Sequence, residues 1–306
     1  MISVILCSHN SRPDYLAETI GGLRSQQLPI SEWELIVMDN ASDAPIAENL
    51  DLSWHPAARC VREEKLGLTL ARVRGINESH GELLVFVDDD NVLDPDYLEI
   101  VHRIAGDYPF LGAWGGQSSA RFDVEPPEWT RRLWGSLVIR ELSRDSWSNM
   151  YHLHDTLPAG AGLCVRRSAA GRYVKLHENG ERDVLLDRAG RELLSGGDTD
   201  LVCCSMDLGL GSGTFADLKL AHLIPASRLS ESYLLALVEG IAYSAVILRS
   251  FRPWAYPHLP DRGIVGKLAD LARVLRMGRR ERMIQGAARR GSQRAERDLS
   301  RRQRGS

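Results

Sequence analysis

The chain predicts an α/β fold on a mostly parallel, doubly wound sheet flanked by helices, and three observations carry that expectation. β-rich apolar runs at Ser3–Cys7, Glu34–Met38 and Val85–Val87 alternate with stretches of helical spacing, the order that yields parallel strands joined by helical crossovers. At 306 residues, 43% hydrophobic and 26% charged, the composition is that of a globular protein with a sizeable core. The run Val85-Phe86-Val87 ends in Asp88-Asp89-Asp90, and open α/β sheets bind their ligands beyond the carboxyl ends of strands.

Ser3–Cys7 is the first strand, and Pro13–Ser25 is a helix with Leu16, Ile20 and Leu23 on one face. Glu34–Met38 is the second strand and Arg59–Arg62 a short third. A helix over Thr69–Ser79 then leads into the strand that ends in the Asp triplet. Another helix begins near Pro95, and Phe110–Gly116 reads as a further strand. Regularity fades from Arg121 to Thr156. That stretch holds Pro126, Pro127, Trp129, Trp134 and Trp147, too aromatic for a linker and too irregular for the sheet, which makes it a candidate substrate-facing insertion. Order returns at Ala159–Arg166, in a helix over Asp198–Met206 and at Lys219–Ile224. Leu229–Arg249 reads as one or two apolar helices packed on the sheet or on a partner, and no internal repeat is visible.

From Arg262 to Ser306 there are 14 Lys/Arg against 4 Asp/Glu, a net of +10 that leaves −13 on residues 1–261. An acidic domain therefore carries a basic tail. Ile264, Leu268, Leu271 and Leu275 give that tail an amphipathic pattern. It is expected either as a solvated, partly disordered end or as a peripheral contact with anionic membrane through residues 262–306. No aromatics are interleaved with its arginines, so nucleic acid is not an expected partner. Cys7, Cys60, Cys164, Cys203 and Cys204 lack metal-ligand spacing and an even count, so buried, reduced thiols are expected. Met1-Ile2-Ser3 leads straight into a strand, and Tyr233–Leu248, interrupted by Glu239, is short for a bilayer span. The expected location is the cytoplasm, with the inner face of the membrane as its extension.

Three like charges at one strand tip repel one another and are costly to desolvate, so the triplet calls for a cation. Carboxylate oxygens select hard ions such as Mg²⁺ or Mn²⁺, which commonly carry a phosphorylated substrate.

Four blocks taken in order, Val4-Ile5-Leu6-Cys7-Ser8-His9-Asn10, Val37-Met38-Asp39-Asn40-Ala41-Ser42, the Asp triplet and Gly197-Asp198-Thr199-Asp200-Leu201, resemble a family 2 glycosyltransferase of GT-A fold. The resemblance covers roughly residues 1–250. It extends to Gly160–Arg167 and His222–Leu229, blocks that recur in one bacterial, non-processive branch. It implies a transferase domain over 1–228, with a nucleotide-binding half at 1–116 and an acceptor half at 117–228. A helical extension at 229–260 and a basic amphipathic or disordered tail at 261–306 follow.

By the same resemblance, Ser8, His9, Asn10 and Asp39 hold the nucleotide base and ribose, and Arg72 faces the nucleotide with a planar fork suited to two-point contact. Asp90 binds the ion, Asp88 binds ribose or metal, Asp89 is the alternative register, and His222 completes the metal or diphosphate site. Gly162, within Gly160-Ala161-Gly162, allows close approach to the donor sugar or acceptor. Asp198 is the catalytic base for in-line attack with inversion, with Asp200 in reserve; relatives carry Glu where Gly197 stands. The implied cofactor is Mg²⁺ or Mn²⁺ and the implied donor a nucleotide-diphospho-sugar, a UDP-sugar first among them. The implied acceptor is a glycan or lipid-linked glycan in cell-surface polysaccharide or glycoconjugate assembly.

Four other readings share parts of this pattern. A sugar-phosphate nucleotidyltransferase would share the sheet and acidic site but carry a glycine-rich, basic loop after the first strand, and Cys7–Pro13 is not one. A dinucleotide oxidoreductase would need a G-x-G-x-x-G that is not present after a strand. An inactive sugar-nucleotide-binding protein would have no need to retain Asp90, Asp198 and His222. A processive synthase would carry a Q-x-x-R-W motif and membrane helices.

Overall fold

β1 (Ile2–Ser8) is buried along its whole length, as a parallel strand covered on both faces should be. It pairs in parallel with β2 (Trp33–Asn40) on one side and β4 (Leu83–Asp88) on the other, and β3 (Ala58–Glu63) continues the parallel order beyond β2. Beyond β4 the sheet turns mixed. β8 (Leu163–Arg166) runs antiparallel to β4 and to β6 (Leu111–Phe122), β9 (Gly211–Ile224) lies parallel to β6, and β5 (Asn91–Leu93) and β7 (Ser146–Ser148) pair antiparallel to β9. The strand order is β3-β2-β1-β4-β8-β6-β9-β5. In this computed structural model the described residues are 1–182, 184, 186–188, 190, 192–256 and 277–305.

The two-residue period of a strand sorts the core into two layers. Ile2, Val4, Leu6, Leu83, Val85 and Val87 face α1 (Pro13–Arg24) and α3 (Tyr97–Asp107), whereas Ile5, Cys7, Leu84 and Phe86 face α2 (Leu68–Glu78), α4 (Arg167–Glu178) and α5 (Gly197–Asp207). The sheet is thus doubly wound in the chemical sense, apolar on both sides. All five cysteines are free thiols, and four of them are buried.

Several elements differ from the sequence expectation. The short strand β5 occupies Asn91–Leu93, so α3 starts at Tyr97 rather than near Pro95. β9 begins at Gly211, eight residues before the expected Lys219, because Gly211 and Gly213 dilute the β signature while packing closely on Leu111. Helix α4 follows β8 without a break, on a charged segment whose buried stripe is Ala169, Ala170, Tyr173, Val174 and Leu176.

α6 (Glu231–Phe251) is a single helix, capped by the Ser230 hydroxyl, which accepts from the Tyr233 N–H at 3.3 Å. At 21 residues it exceeds the Tyr233–Leu248 run and is, among the described residues, the one helix long and apolar enough to cross a membrane by length and composition. Here it packs on protein. Leu234 and Leu237 meet Leu133, Leu137 and Ile224, and Gly240 sits against the Leu193 backbone.

The end of the basic tail is an ordered helix, α7 (Arg279–Gly305), which lies along α6 through Arg280–Glu231, Arg290–Glu239 and Tyr243–Asp298 contacts. Gly291 permits the close approach, since a Cβ there would lie 2.0 Å from the Glu239 carbonyl oxygen. The amphipathic positions Ile264, Leu268, Leu271 and Leu275 lie outside the described residues.

Candidate active site

The parallel strands β1, β2 and β4 end at one edge of the sheet, and their last residues open into a cleft of ≈ 300 Å³. Ser8 comes from the end of β1, Asn40 from the end of β2 and Asp88 from the end of β4. Asp89 and Asp90 lie in the turn to β5. The pairing of β5 with β9 sets Asn91 opposite His222, which brings the imidazole beside Asp90. The turn after β9 adds Arg228.

The three aspartates occupy different environments. Asp90 is buried. Its Oδ2 lies 2.8 Å from Arg228 Nη2 and 3.4 Å from His222 Nε2, and its Oδ1 accepts from Asn91 Nδ2 at 2.9 Å. Burial works against its charge, but His222 and Arg228 overcome that and hold the carboxyl well below the usual range. Asp89 accepts from the Ser8 hydroxyl at 2.7 Å; burial and the adjacent Asp90 nonetheless push it up to about 7. Asp88 is raised by burial, with Arg72 acting against the rise.

Arg72 on α2 is the hub of the opposite wall. Only 3% of its side chain is exposed, and Nη1 lies 3.1 Å from Asp187 Oδ2 and Nη2 3.9 Å from Asp88 Oδ1. A Cβ on Gly160 would fall 2.9 Å from Arg72 Nη2 and 3.1 Å from Asp198 Oδ2, so glycine is needed there for close approach. Asp198, at the start of α5, is gripped by two backbone donors: the Gly160 N–H to Oδ2 at 2.8 Å and the Thr199 N–H to Oδ1 at 2.7 Å. The carboxylate is thereby fixed in orientation while still lining the cleft. Val138, at φ 61°, forms part of another wall in a conformation that costs a β-branched residue energy, as strained residues at ligand sites often do.

Residues 3–169, more than half of the chain, match the family model described as Glycosyl transferase family 2. The chain belongs to that family. EpsH of Bacillus subtilis (strain 168), named as a glycosyltransferase, is 32% identical over 108 residues, 35% of this chain and 30% of EpsH. Glycosyltransferase AglE of Haloferax volcanii is 27% identical over 134 residues, 40% of this chain and 44% of AglE. The matched stretches span less than half the length of these curated relatives. An S. aureus TarS crystal structure in complex with UDP-GlcNAc superposes with a TM-score of 0.54 at 14% identity, covering 94% of this chain and 79% of that one. The mixed sheet described above is thus a GT-A fold.

In this family 2 chain the cleft gathers Ser8, His9, Arg72, Asp88, Asp89, Asp90, Asp198 and His222, so Asp90 and Asp198 share one cavity. Four expected residues stand outside its lining. Asn10, at φ 49°, ties the first loop to the second through Ser42 and Asp43, and its side-chain amide donates to His9 Nε2 at 3.3 Å while His9 Nδ1–H donates to the Asn40 carbonyl at 2.8 Å. Asp39 is spent on the turn after β2, accepting from the Ser42 and Ile46 N–H groups and pairing with Arg62 at 2.7 Å. Asp200 is buried between Arg182, at 2.7 Å, and Arg252, which closes the C-terminal end of α6 onto α5. Gly162, at φ +68°, packs on Tyr97, whose hydroxyl donates to its carbonyl at 2.6 Å.

Arg228 and Asp187 were not among the expected site residues. Arg228 falls inside the His222–Leu229 block, so that block already held the signal. Asp187 lies in a polar loop with no periodicity, and only the fold reveals it. Of the three insertion tryptophans, Trp134 packs on Phe122 at 5.3 Å, Trp129 lies under Arg280 at 4.9 Å, and Trp147 is half exposed on β7.

The donor chemistry fits a divalent ion. Among the described residues no three His, Cys, Asp or Glu side chains are grouped so as to hold a metal ion by themselves. Mg²⁺ and Mn²⁺ are usually held by one or two protein ligands with substrate phosphates and water completing the shell. Asp90 and His222 would supply such a pair with Arg228 turned away, since its guanidinium lies 2.8 Å from Asp90 Oδ2 and 3.2 Å from His222 Nε2. Burial, and after it the neighbouring carboxylates, raises Asp88 and Asp89, and a cation beside them would favour their charged forms.

Proposed function

We propose that this protein is an inverting, non-processive glycosyltransferase that moves one sugar from a nucleotide-diphospho-sugar, first among them a UDP-sugar, to an acceptor hydroxyl. The observation that carries the reading is the shared cleft: Asp90 with His222 on one side and the fixed carboxylate of Asp198 on the other. The nucleotide enters over the ends of β1 and β2, with the exposed ring of His9 available to stack on the base. Arg228 and Arg72 bring positive charge to the diphosphate side, Arg228 by exchanging part of its contact with Asp90 for phosphate oxygens. Asp90 and His222 would hold a divalent ion, which when bound would supply Lewis-acid neutralisation of the leaving diphosphate. Asp198 takes the proton of the acceptor hydroxyl as that oxygen bonds to the anomeric carbon and the bond to the diphosphate breaks. The choice of UDP is supported by TarS, a protein of the same fold that has been crystallised with UDP and UDP-GlcNAc.

A ligand that binds only the folded state raises its stability by roughly 2.7 kcal/mol at a hundredfold excess over Kd. UDP with Mn²⁺ is therefore expected to raise the melting temperature by about 5 °C or more, and UDP-sugars to release UDP slowly in the presence of acceptor. Unchanged melting with every nucleoside diphosphate, with and without Mn²⁺, removes the reading.

The acceptor class is a glycan or lipid-linked glycan of the cell surface, met at the cytoplasmic face of the membrane through residues 262–306. Support comes from the exposed Arg282, Arg289, Arg297 and Arg301 of α7 and from Trp254, the most exposed large apolar side chain among the described residues at 74%. Full-length protein should float with vesicles containing phosphatidylserine and stay behind with neutral ones; equal behaviour on both discards the membrane contact and leaves the transfer reaction untouched.

A further inference from the structure

Gly197 is the first residue of α5, directly before Asp198, and its lack of a side chain has a spatial reason. A Cβ at this position would lie 2.1 Å from Asp187 Oδ2 and 2.5 Å from its Cγ. The backbone itself imposes no such demand, because the left-handed residue of this turn is Gly196, at φ +101°, and not Gly197. The carboxylate of Asp187 thus fills the volume that any side chain at 197 would need.

Asp187 is buried and fully engaged. Oδ2 accepts from the Thr69 hydroxyl at 3.0 Å and pairs with Arg72 Nη1 at 3.1 Å, both on α2. Oδ1 accepts from the Gly197 N–H at 3.2 Å, one of the donors that a helix leaves free at its start. One carboxylate therefore joins three things: the guanidinium that faces Asp88, the first turn of α5, and the loop that also brings Arg188, Ser195 and Gly196 to the cleft. Asp198 is the next residue after the anchored N–H, and its own Oδ2 accepts from the N–H of Gly160, where a Cβ would fall 2.9 Å from Arg72 Nη2.

We propose that Asp187, seated in the space left by Gly197, is the positioning residue that sets Arg72 and Asp198 at their working separation. The role rests on the transfer reading above but is tested apart from it. A misplacement of about 1 Å at a reacting group costs on the order of 10² in rate, so the pair should matter to turnover more than to donor capture.

The experiment is a double-mutant cycle of D187A, G197A and D187A/G197A, each followed by melting temperature, UDP affinity and kcat. G197A pushes Asp187 out and D187A removes it, so each single variant should lose about 10² in kcat while UDP affinity moves less. The double variant should lose about as much as either single, because the two changes remove the same contact; independent sites would multiply to about 10⁴. D187N keeps the size but not the charge opposite Arg72 and should fall between wild type and D187A. Multiplicative losses in the double variant overturn the proposal, as does wild-type kcat in G197A or D187N. Should D187A melt below the assay temperature, G197A and D187N carry the test. Should wild type itself bind and turn over no nucleotide-sugar, the transfer reading falls, and the cycle is read in melting temperature, where the same non-additivity is expected and additivity overturns it.

Discussion

Replacing Asp198 with alanine is expected to lower kcat by about 10² to 10⁴ while leaving the affinity for UDP within a few-fold of wild type. Two backbone N–H groups already hold this carboxylate, one on each oxygen, at 2.8 and 2.7 Å. Oδ2 keeps a lone pair for an incoming hydroxyl, while Oδ1 also accepts from the Thr199 hydroxyl at 3.4 Å, and rotation is prevented from both sides. Such a group is preorganised to take a proton and does not have to reorient during the reaction. Removing it deletes an interaction made in the transition state rather than one made with the nucleotide, so the loss should fall on kcat. Asparagine is a harsher substitution than its size suggests, since its NH₂ would face one of the two N–H donors and leave that donor unsatisfied, at a cost of about 1–3 kcal/mol. The measurement is single-turnover transfer together with UDP titration. A D198A enzyme that retains more than a tenth of wild-type kcat assigns the proton transfer elsewhere. Asp200 is a poor substitute, because its carboxylate is buried between Arg182 and Arg252 and points away from the cleft lining.

The central strands are legible in the amino-acid order because a parallel strand buried on both faces must be apolar at nearly every position, as β1, β2 and β4 are. The second half of the sheet is less so. β9 opens with two glycines that pay for close packing on Leu111 with β propensity, and α4 carries so many charges that its buried stripe is easily passed over. In the site, the Asp triplet is named by residue type at a strand end, and Ser8 and His9 by the family resemblance; Ser8, His9, Asp88 and Asp90 all line the cleft. Residue type and resemblance do not say which way a side chain turns. Asp39 and Asn10 stand within a residue or two of the cleft yet spend their polar atoms on turn geometry, a distinction set by where neighbouring N–H groups fall in space. Asp187 is the extreme case: 115 residues separate it from Arg72, and nothing local in its loop points to α2.

Loss of Arg72 should be the most damaging single change to the architecture of the cleft. Its guanidinium is buried beside Asp187, faces Asp88 and occupies the space a side chain at Gly160 would need, next to the N–H that holds Asp198. In R72A Asp187 loses the guanidinium beside it and Asp88 loses the largest of its counter-charges, leaving it Arg188 and His222, and breaking a buried pair by removing one partner costs about 3–5 kcal/mol. For a chain of this size that corresponds to a fall of roughly 5–8 °C in melting temperature. Lysine keeps the charge but not the fork, so R72K should recover part of the stability and little of the activity.

The pH dependence distinguishes this account from a simple packing defect. Burial already raises the Asp187 carboxyl, with Arg72 restraining the rise, so removing Arg72 raises it further. An acid whose folded-state pKa lies above its unfolded value destabilises the fold above that value, and the penalty fades as pH falls and the group takes up a proton. The melting-temperature gap between R72A and wild type should therefore be widest at pH 8 and narrow steadily toward pH 5. A gap that stays constant across that range would show that Arg72 contributes packing alone, and that the carboxylates around it find their compensation from other groups.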